Sequence, residues 1–355
     1  MTTRITVAVC VPLGVEPGRV VNRIEAAGGG AVECHFDRTL LPPQRFVADH
    51  KGAEGFARDP QGEQRWRAVL AEADVALGIP GDDADGLRRL VALAPRLRWV
   101  QGTAAGTGEQ VVRARLGEDV LSRVAFTSTA GIHAVPLAEF ALFGLLSLAK
   151  DADVLAELGR SREWRPRWPM QLLRGSSVLI LGLGGVGREV ARLSAAFGCR
   201  VTAVRRRPDG PVPDGVATIA PLAELDELLP AADAVVVTLP STAQTAGLLD
   251  GRRLALLPPH AVVVNVGRGS VIDSVALAAR LDAGGLRGAV LDVTDQEPLP
   301  ATSPLWGRPN VIISPHTAAL SVDEDARIVE LFADNLGRFI AGTRLVNLVD
   351  PAAGY

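Results

Sequence analysis

The sequence predicts an α/β protein of two domains built on parallel sheets. Short β-branched runs alternate with alanine- and leucine-rich helical stretches along most of the chain, the pattern of strand–helix–strand units. A glycine turn, Gly182-Leu-Gly184-Gly-Val-Gly187, joins one such run to one such helix. At 355 residues the chain also exceeds what one ordinary core holds.

The elements follow in order. Residues 5–11 are a β-branched run stopped by Pro12, and read as a first strand rather than a signal peptide. Helical stretches at 18–27, 63–73 and 84–94 accompany strands at 74–79 and 97–101. The segment 37–62 is rich in proline, glycine and charge, which predicts an irregular insertion. A long helix is predicted over 136–150. The stretch 159–175, with Trp164, Pro166, Trp168, Pro169 and Gly175, predicts an irregular connection. Then come a strand at 177–181, the glycine turn, and a helix at 188–197. Strands at 201–204, 234–239, 261–266, 288–293 and 311–314 and an amphipathic helix at 323–341 complete the chain.

Composition narrows the function. With 48% hydrophobic residues the chain has ample material for cores, and a net charge of −3 argues against a nucleic-acid or membrane-surface partner. Cys10, Cys34 and Cys199 have no paired spacing, so neither a disulfide framework nor a cysteine metal site is expected, and a cytoplasmic setting is. The longest apolar run, 134–149, is broken by Pro136 and Glu139 and falls short of a membrane span. No His/Cys/Asp cluster has metal-ligand spacing, so no metal is expected.

The glycine turn has G-x-G-x-x-G spacing. Gly182 permits the tight turn, Gly184 lets backbone approach a pyrophosphate, and Gly187 lets the following helix pack close. Gly185 and Val186 lie within the turn, and the helix that follows it faces its N-terminal amides to the phosphates. An apolar strand before the turn and a helix after it are the context that a dinucleotide-binding, Rossmann-type reading requires. A carboxylate about twenty residues on, after the next strand, would accept hydrogen bonds from an adenosine ribose. Arg205 and Arg206 stand there instead, and guanidinium groups pair with a 2′-phosphate. NADP(H) is therefore expected over NAD(H).

Three later segments join the glycine turn: Val264-Asn-Val-Gly-Arg268-Gly269, Leu291-Asp292-Val-Thr-Asp-Gln-Glu297-Pro298 and Ser314-Pro315-His316-Thr-Ala318. Together the four motifs resemble those of the D-isomer-specific 2-hydroxyacid dehydrogenases, a family that includes glyoxylate/hydroxypyruvate reductases and phosphoglycerate dehydrogenase. The resemblance runs from about residue 74 to the C-terminus and is strongest over 178–318. It implies a catalytic trio of Arg268, Glu297 and His316. A 2-keto acid offers a carboxylate beside a carbonyl, and the guanidinium fork of Arg268 suits both. His316 supplies or removes the proton on the carbonyl oxygen while hydride is exchanged with the nicotinamide. Glu297 holds the imidazole in one tautomer and favours its charged form.

The resemblance implies further positions. Leu239 and Pro240 pack on the ribose side of the cofactor, Val266 and Gly267 contact its nicotinamide end, and Asp292 holds the nicotinamide carboxamide. Ala105, Gly106 and Thr107 form a substrate loop whose amides face the substrate carboxylate. Trp306 matches a position near the site entrance, with a buried aromatic as the expected role.

The fold implied is a Rossmann-type cofactor domain, 128–317, inserted into a flavodoxin-like substrate domain, 1–127 with 318–355. A homodimer formed through the helix at 136–150 and the arm after it is implied too. The function implied is reduction of a small 2-keto acid such as glyoxylate or hydroxypyruvate. The alternatives are a phosphoglycerate dehydrogenase-like enzyme, of the forms without an added C-terminal regulatory domain, and a non-catalytic protein that senses nicotinamide nucleotide.

Overall fold

The structure, a computed structural model, describes residues 4–351. The chain forms two compact units, Met1–His133 with Leu320–Tyr355, and Ala134–Ala319.

The first unit carries five parallel strands: β1 (Ile5–Val9), β2 (Val32–His35), β3 (Val75–Leu77), β4 (Trp99–Gln101) and β5 (Ala125–Thr127), in the order β2-β1-β3-β4-β5. Its helices are α1 (Pro17–Ala27), α2 (Pro60–Glu72), α3 (Ala84–Leu93), α4 (Thr107–Ala114), α5 (Glu118–Arg123) and the C-terminal α12 (Glu324–Ile340). Strand periodicity sorts residues between two cores. Val7 and Val9 face Trp99, Phe332 and Leu336, while Ala8 and Cys10 face Leu70, Leu87 and Leu90. Phe332 of α12 stacks on Trp99 with ring centroids 4.8 Å apart.

The second unit has seven parallel strands: β6 (Ser177–Leu181), β7 (Arg200–Val204), β8 (Thr218–Ala220), β9 (Ala234–Val237), β10 (Val262–Asn265), β11 (Gly288–Leu291) and β12 (Val311–Ile313). Their order is β12-β11-β10-β9-β6-β7-β8. Its helices are α6 (Ala134–Ala149), α7 (Ala152–Ser161), α8 (Gly185–Ala196), α9 (Leu225–Leu228), α10 (Gly251–Leu256) and α11 (Ser274–Asp282). Val178 and Ile180 share a core with Ala141, Leu145 and Val190 of α6 and α8. Leu179 and Leu181 share the other with Leu254, Leu277 and Leu281 of α10 and α11. A sheet covered on both faces explains why its strands read as continuous apolar runs.

The structure departs from the sequence expectation at several places. Strands β2, β5 and β8 are additions to the sequence reading, short runs in which polar residues (Glu33, His35, Thr127 and Thr218) mix with apolar ones. The helix expected from 63 starts at Pro60, because Asp59 accepts a hydrogen bond from the Gly62 amide and proline suits the first turn. The helix expected from 136 starts at Ala134, since Pro136 lies within the first turn, where no amide donor is needed. The connection expected from 159 is helical up to Ser161 in α7 and irregular only beyond it. Within the insertion Arg38–Leu40 forms a helical turn, and residues 60–62 belong to α2. The rest is pinned by side chains, with Arg45 on Asp49 at 2.7 Å and His50 Nε2 on Asp325 Oδ1 at 2.7 Å. Trp306, expected to be buried, is about half exposed, with its indole N–H donating to the Pro300 carbonyl.

Candidate active site

In the seven-stranded sheet the chain order reverses between β6 and β9, with β7 and β8 on one side and β10 to β12 on the other. Ligands of open parallel sheets collect beyond the carboxyl ends of the strands at such a switch point. The glycine turn follows β6, and the three other motifs follow β10, β11 and β12.

The geometry of the turn explains its glycines. Gly182 has φ +102°, a left-handed conformation that favours glycine, and its carbonyl accepts from the Thr238 hydroxyl at 2.7 Å. A Cβ on Gly187 would lie 2.0 Å from that same carbonyl oxygen, so only glycine lets α8 pack here. Gly184 caps α8 with no side chain on its amides, and a Cβ there would meet no atom within 4 Å. Gly184 and Gly185 are exposed and Val186 is half-buried. A helix N-terminus of bare amides behind an open glycine surface fits a pyrophosphate. On that observation the residues present fit a dinucleotide.

The loops beside the turn are closely packed. A Cβ on Gly267 would sit 2.7 Å from the Leu239 carbonyl oxygen, so the chain after β10 lies against the chain after β9. Leu239 is half-buried and Pro240 exposed, with the Pro240 carbonyl accepting from Thr245 Oγ1 at 2.6 Å. Val266 is buried. After β7, the Arg205 guanidinium turns onto its own loop and donates from Nη2 to the Pro208 and Asp209 carbonyls at 2.9 and 2.8 Å. Arg206 is exposed.

His316 and Glu297 come together. Imidazole Nδ1 lies 2.7 Å from Glu297 Oε2, while Oε1 accepts from the Thr294 amide at 3.1 Å. Both side chains are partly open to solvent, at 49% and 38%. An ionised carboxylate only accepts, so it fixes a proton on Nδ1 and leaves Nε2 for chemistry. Arg268 follows the adjacent strand β10 and is half-buried. Its Nη1 donates to the Gly267 carbonyl at 2.9 Å, and it has no carboxylate partner among the described residues.

Two further motif residues, Asn265 and Ser314, shape this site. Asn265, buried at the end of β10, donates from Nδ2 to the Arg268 carbonyl at 3.1 Å and accepts from the Gly267 amide at 3.1 Å. Ser314 donates to Asp292 Oδ1 at 2.7 Å. The signal was a short polar residue at a strand end, where Asn and Ser close turns onto backbone. Asp292 itself is 2% exposed.

In the first unit, Ala105 and Gly106 precede α4 and Thr107 opens it. Gly106 caps that helix without a side-chain acceptor, and the buried Thr107 hydroxyl donates to the Ala104 carbonyl at 2.6 Å. The remaining histidines have local partners: His133 with Glu324 at 3.1 Å, His260 with Asp233 at 2.8 Å and His35 with Glu33 at 3.6 Å. Among the described residues no group of three or more His, Cys, Asp or Glu is placed to hold a metal ion. No helix there is long and apolar enough to cross a membrane.

Known proteins resemble this chain in sequence and in fold. Residues 142–318 match the model of the D-isomer specific 2-hydroxyacid dehydrogenase NAD-binding domain. A glyoxylate reductase of Korarchaeum cryptofilum is 33% identical over 342 residues, 93% of this chain and 95% of the relative. This chain belongs to the D-isomer specific 2-hydroxyacid dehydrogenase family. A glyoxylate/hydroxypyruvate reductase B of Yersinia pestis is 31% identical, over 86% of this chain and 93% of that protein. Among solved structures, the NADPH-dependent glyoxylate/hydroxypyruvate reductase of Sinorhizobium meliloti, in complex with NADP and sulfate, superposes with a TM-score of 0.72 at 28% identity. The match covers 99% of this chain and 100% of that one. As a member of the family, the chain is an NAD(P)-dependent oxidoreductase of small 2-keto and 2-hydroxy acids.

Proposed function

We propose that the enzyme works in the reductive direction on a small 2-keto acid of the glyoxylate or hydroxypyruvate kind, with NADPH preferred. The observation that carries this reading is the His316–Glu297 pair on the loops after β11 and β12, with Arg268 on the loop after the adjacent β10. The bound nicotinamide supplies a hydride to the carbonyl carbon. Arg268, which has no carboxylate to give up among the described residues, binds the substrate carboxylate and carbonyl through its planar fork. His316 as imidazolium gives its Nε2 proton to the carbonyl oxygen as that oxygen gains charge. Glu297 keeps the ring oriented and offsets its charge. One hydride on the carbonyl carbon and one proton on its oxygen thus turn the 2-oxo acid into the corresponding 2-hydroxy acid. The substrate loop of Ala105, Gly106 and Thr107 leads into α4, whose N-terminus has no side-chain cap and suits an anion.

Cofactor choice rests on Arg205 and Arg206 where an acid would favour NAD(H). Relatives with NADP or NADPH bound point the same way, among them the Sinorhizobium meliloti reductase and a Xanthobacter autotrophicus family member. Val266 and Gly267 line the nicotinamide end, with Leu239 and Pro240 on the ribose side. Division into a cofactor domain over 128–317 and a substrate domain from the flanking segments completes the reading. We assign a homodimer as well. Phe143 on α6, Leu155 on α7, Leu172, and Trp164, which is fully exposed, present apolar surface for a second copy to cover, and α7 has no buried residue of its own. The cytoplasm is the proposed setting, because its three buried cysteines are all free.

The test is steady-state oxidation of NADPH and NADH against glyoxylate, hydroxypyruvate, 3-phosphohydroxypyruvate, pyruvate and bulkier 2-keto acids. The reading expects the first two to be turned over best, with NADPH. Preference for the phosphorylated acid would replace it with a phosphoglycerate dehydrogenase-like reading. Tight nucleotide binding without turnover would replace it with a sensor.

A further inference from the structure

We infer that Asp82 and Gln110 determine substrate specificity, binding a hydroxyl on the side chain of the 2-keto acid and repelling an acidic one; this rests on the reading of residues 105–107 as the substrate loop. In the first unit the chain order reverses between β1 and β3, with β2 on one side and β4 and β5 on the other. An open parallel sheet takes its ligand in the crevice beyond the strands' carboxyl ends at such a point. The loops after β3 and β4 border that crevice, and the second is the substrate loop. Gln110 of α4 ties them together, its Nε2 donating to the Asp82 carbonyl at 2.8 Å and to Asp82 Oδ1 at 3.0 Å.

This link leaves polar atoms unused. Gln110 Oε1 is buried without a partner, and so is the hydroxyl of Thr103, a residue 1% exposed between β4 and the substrate loop. Asp82 Oδ2 has no donor among the described residues. Buried polar atoms without partners are few and costly in folded chains, so a ligand that brings a donor to them is favoured. The charged groups around Asp82 are engaged elsewhere. His50 pairs with Asp325 at 2.7 Å, Asp49 with Arg45 at 2.7 Å, and Asp83 accepts from the Gly86 amide at 2.7 Å. Desolvation chiefly raises the Asp82 carboxyl above its usual value, with Asp83 and Asp49 adding to the effect and Gln110 and His50 opposing it. A carboxylate or phosphate on the substrate would meet like charge there, whereas a hydroxyl meets acceptors. The backbone of Asp82 is itself left-handed, at φ +51°, a conformation that persists where surrounding contacts over-determine it.

The test is kcat/KM with NADPH for glyoxylate, hydroxypyruvate, 2-oxobutanoate and oxaloacetate, in the parent, Asp82→Asn and Gln110→Met. Asparagine tolerates a left-handed backbone, so Asp82→Asn removes the charge and keeps the loop. The parent should prefer hydroxypyruvate to 2-oxobutanoate, which has a methyl in place of the hydroxyl, by about tenfold or more. Asp82→Asn should raise oxaloacetate relative to hydroxypyruvate by about tenfold or more. Gln110→Met should remove most of the preference for hydroxypyruvate over 2-oxobutanoate. Glyoxylate has no side chain to reach either residue, and its kcat/KM should not change.

A parent that prefers 2-oxobutanoate or oxaloacetate would overturn the inference. So would variants that slow all four acids alike, the mark of a structural or water-filled link. A parent that turns over none of the acids would remove the enzyme reading as well, and that failure is distinguishable because it precedes any variant.

Discussion

Glu297 reaches His316 with one carboxylate oxygen and the backbone of its own loop with the other. Oε2 lies 2.7 Å from the imidazole Nδ1, and Oε1 accepts from the Thr294 amide at 3.1 Å. The acid is thereby held before it holds the histidine. That order of constraint turns two partly exposed side chains into a fixed pair.

The pair predicts a graded loss of activity. His316→Ala should retain nucleotide binding and lose about 10²–10⁴-fold in kcat. Glu297→Gln keeps an acceptor but loses the charge, and should lose less than His316→Ala. Steady-state kinetics beside a nucleotide titration checks both. Near-normal turnover in His316→Ala would take the histidine out of the mechanism.

Two glycines of one turn should fail in different ways. In Gly187→Ala the new methyl would lie 2.0 Å from the Gly182 carbonyl oxygen, so stability and nucleotide affinity should fall together. A Cβ at Gly184 meets no atom within 4 Å, so Gly184→Ala should melt with the parent yet bind NADPH poorly. Thermal unfolding with and without NADPH separates the cases. Normal affinity in Gly184→Ala would mean that the pyrophosphate does not approach there.

The arginines after β7 should read phosphate rather than adenine. Neutralising Arg205 and Arg206 together is expected to weaken 2′,5′-ADP by about tenfold or more, the scale of charge-assisted hydrogen bonds, and 5′-AMP only by the modest amount that loss of Arg205 alone produces. Arg205 closes its own loop through the Pro208 and Asp209 carbonyls, so Arg205→Ala alone should weaken both ligands modestly. Calorimetric titration decides. Equal losses from the double replacement would exclude phosphate reading.

The insertion should loosen in acid. Side-chain hydrogen bonds from Arg45 chiefly, with the Arg45 and Gly52 amides, hold the Asp49 carboxyl down to about 2 against the opposing effect of burial. A carboxyl with a depressed folded pKa stabilises fully above its unfolded value near 3.9, and that stability is lost as pH falls through the folded value. The stability gap between the parent and Asp49→Asn, from urea unfolding, should therefore be widest above about pH 5 and close towards pH 2. A gap that stays constant with pH would contradict the assignment.

Strand–helix alternation, the glycine spacing and the three strand-end motifs were legible in the sequence because each is a local pattern. A β-branched run, a turn needing glycine and a helix with one apolar face declare themselves within a few residues. Asp292, Glu297 and His316 stood out by chemical type. Strands β2, β5 and β8 did not, since Glu33 and His35, Thr127 and Thr218 interrupt what are already short runs, whereas the equally short β3 and β12 are wholly apolar. The tertiary structure alone decided that Asp292 gathers Ser314, Thr317 and Ala318, that Asn265 shapes the turn under Arg268, and that Arg205 folds onto its own loop. These are choices of partner for a buried or strand-end polar group. Such a group bonds whichever donor or acceptor the folded sheet brings within about 3 Å, and neighbours along the chain do not specify which that is.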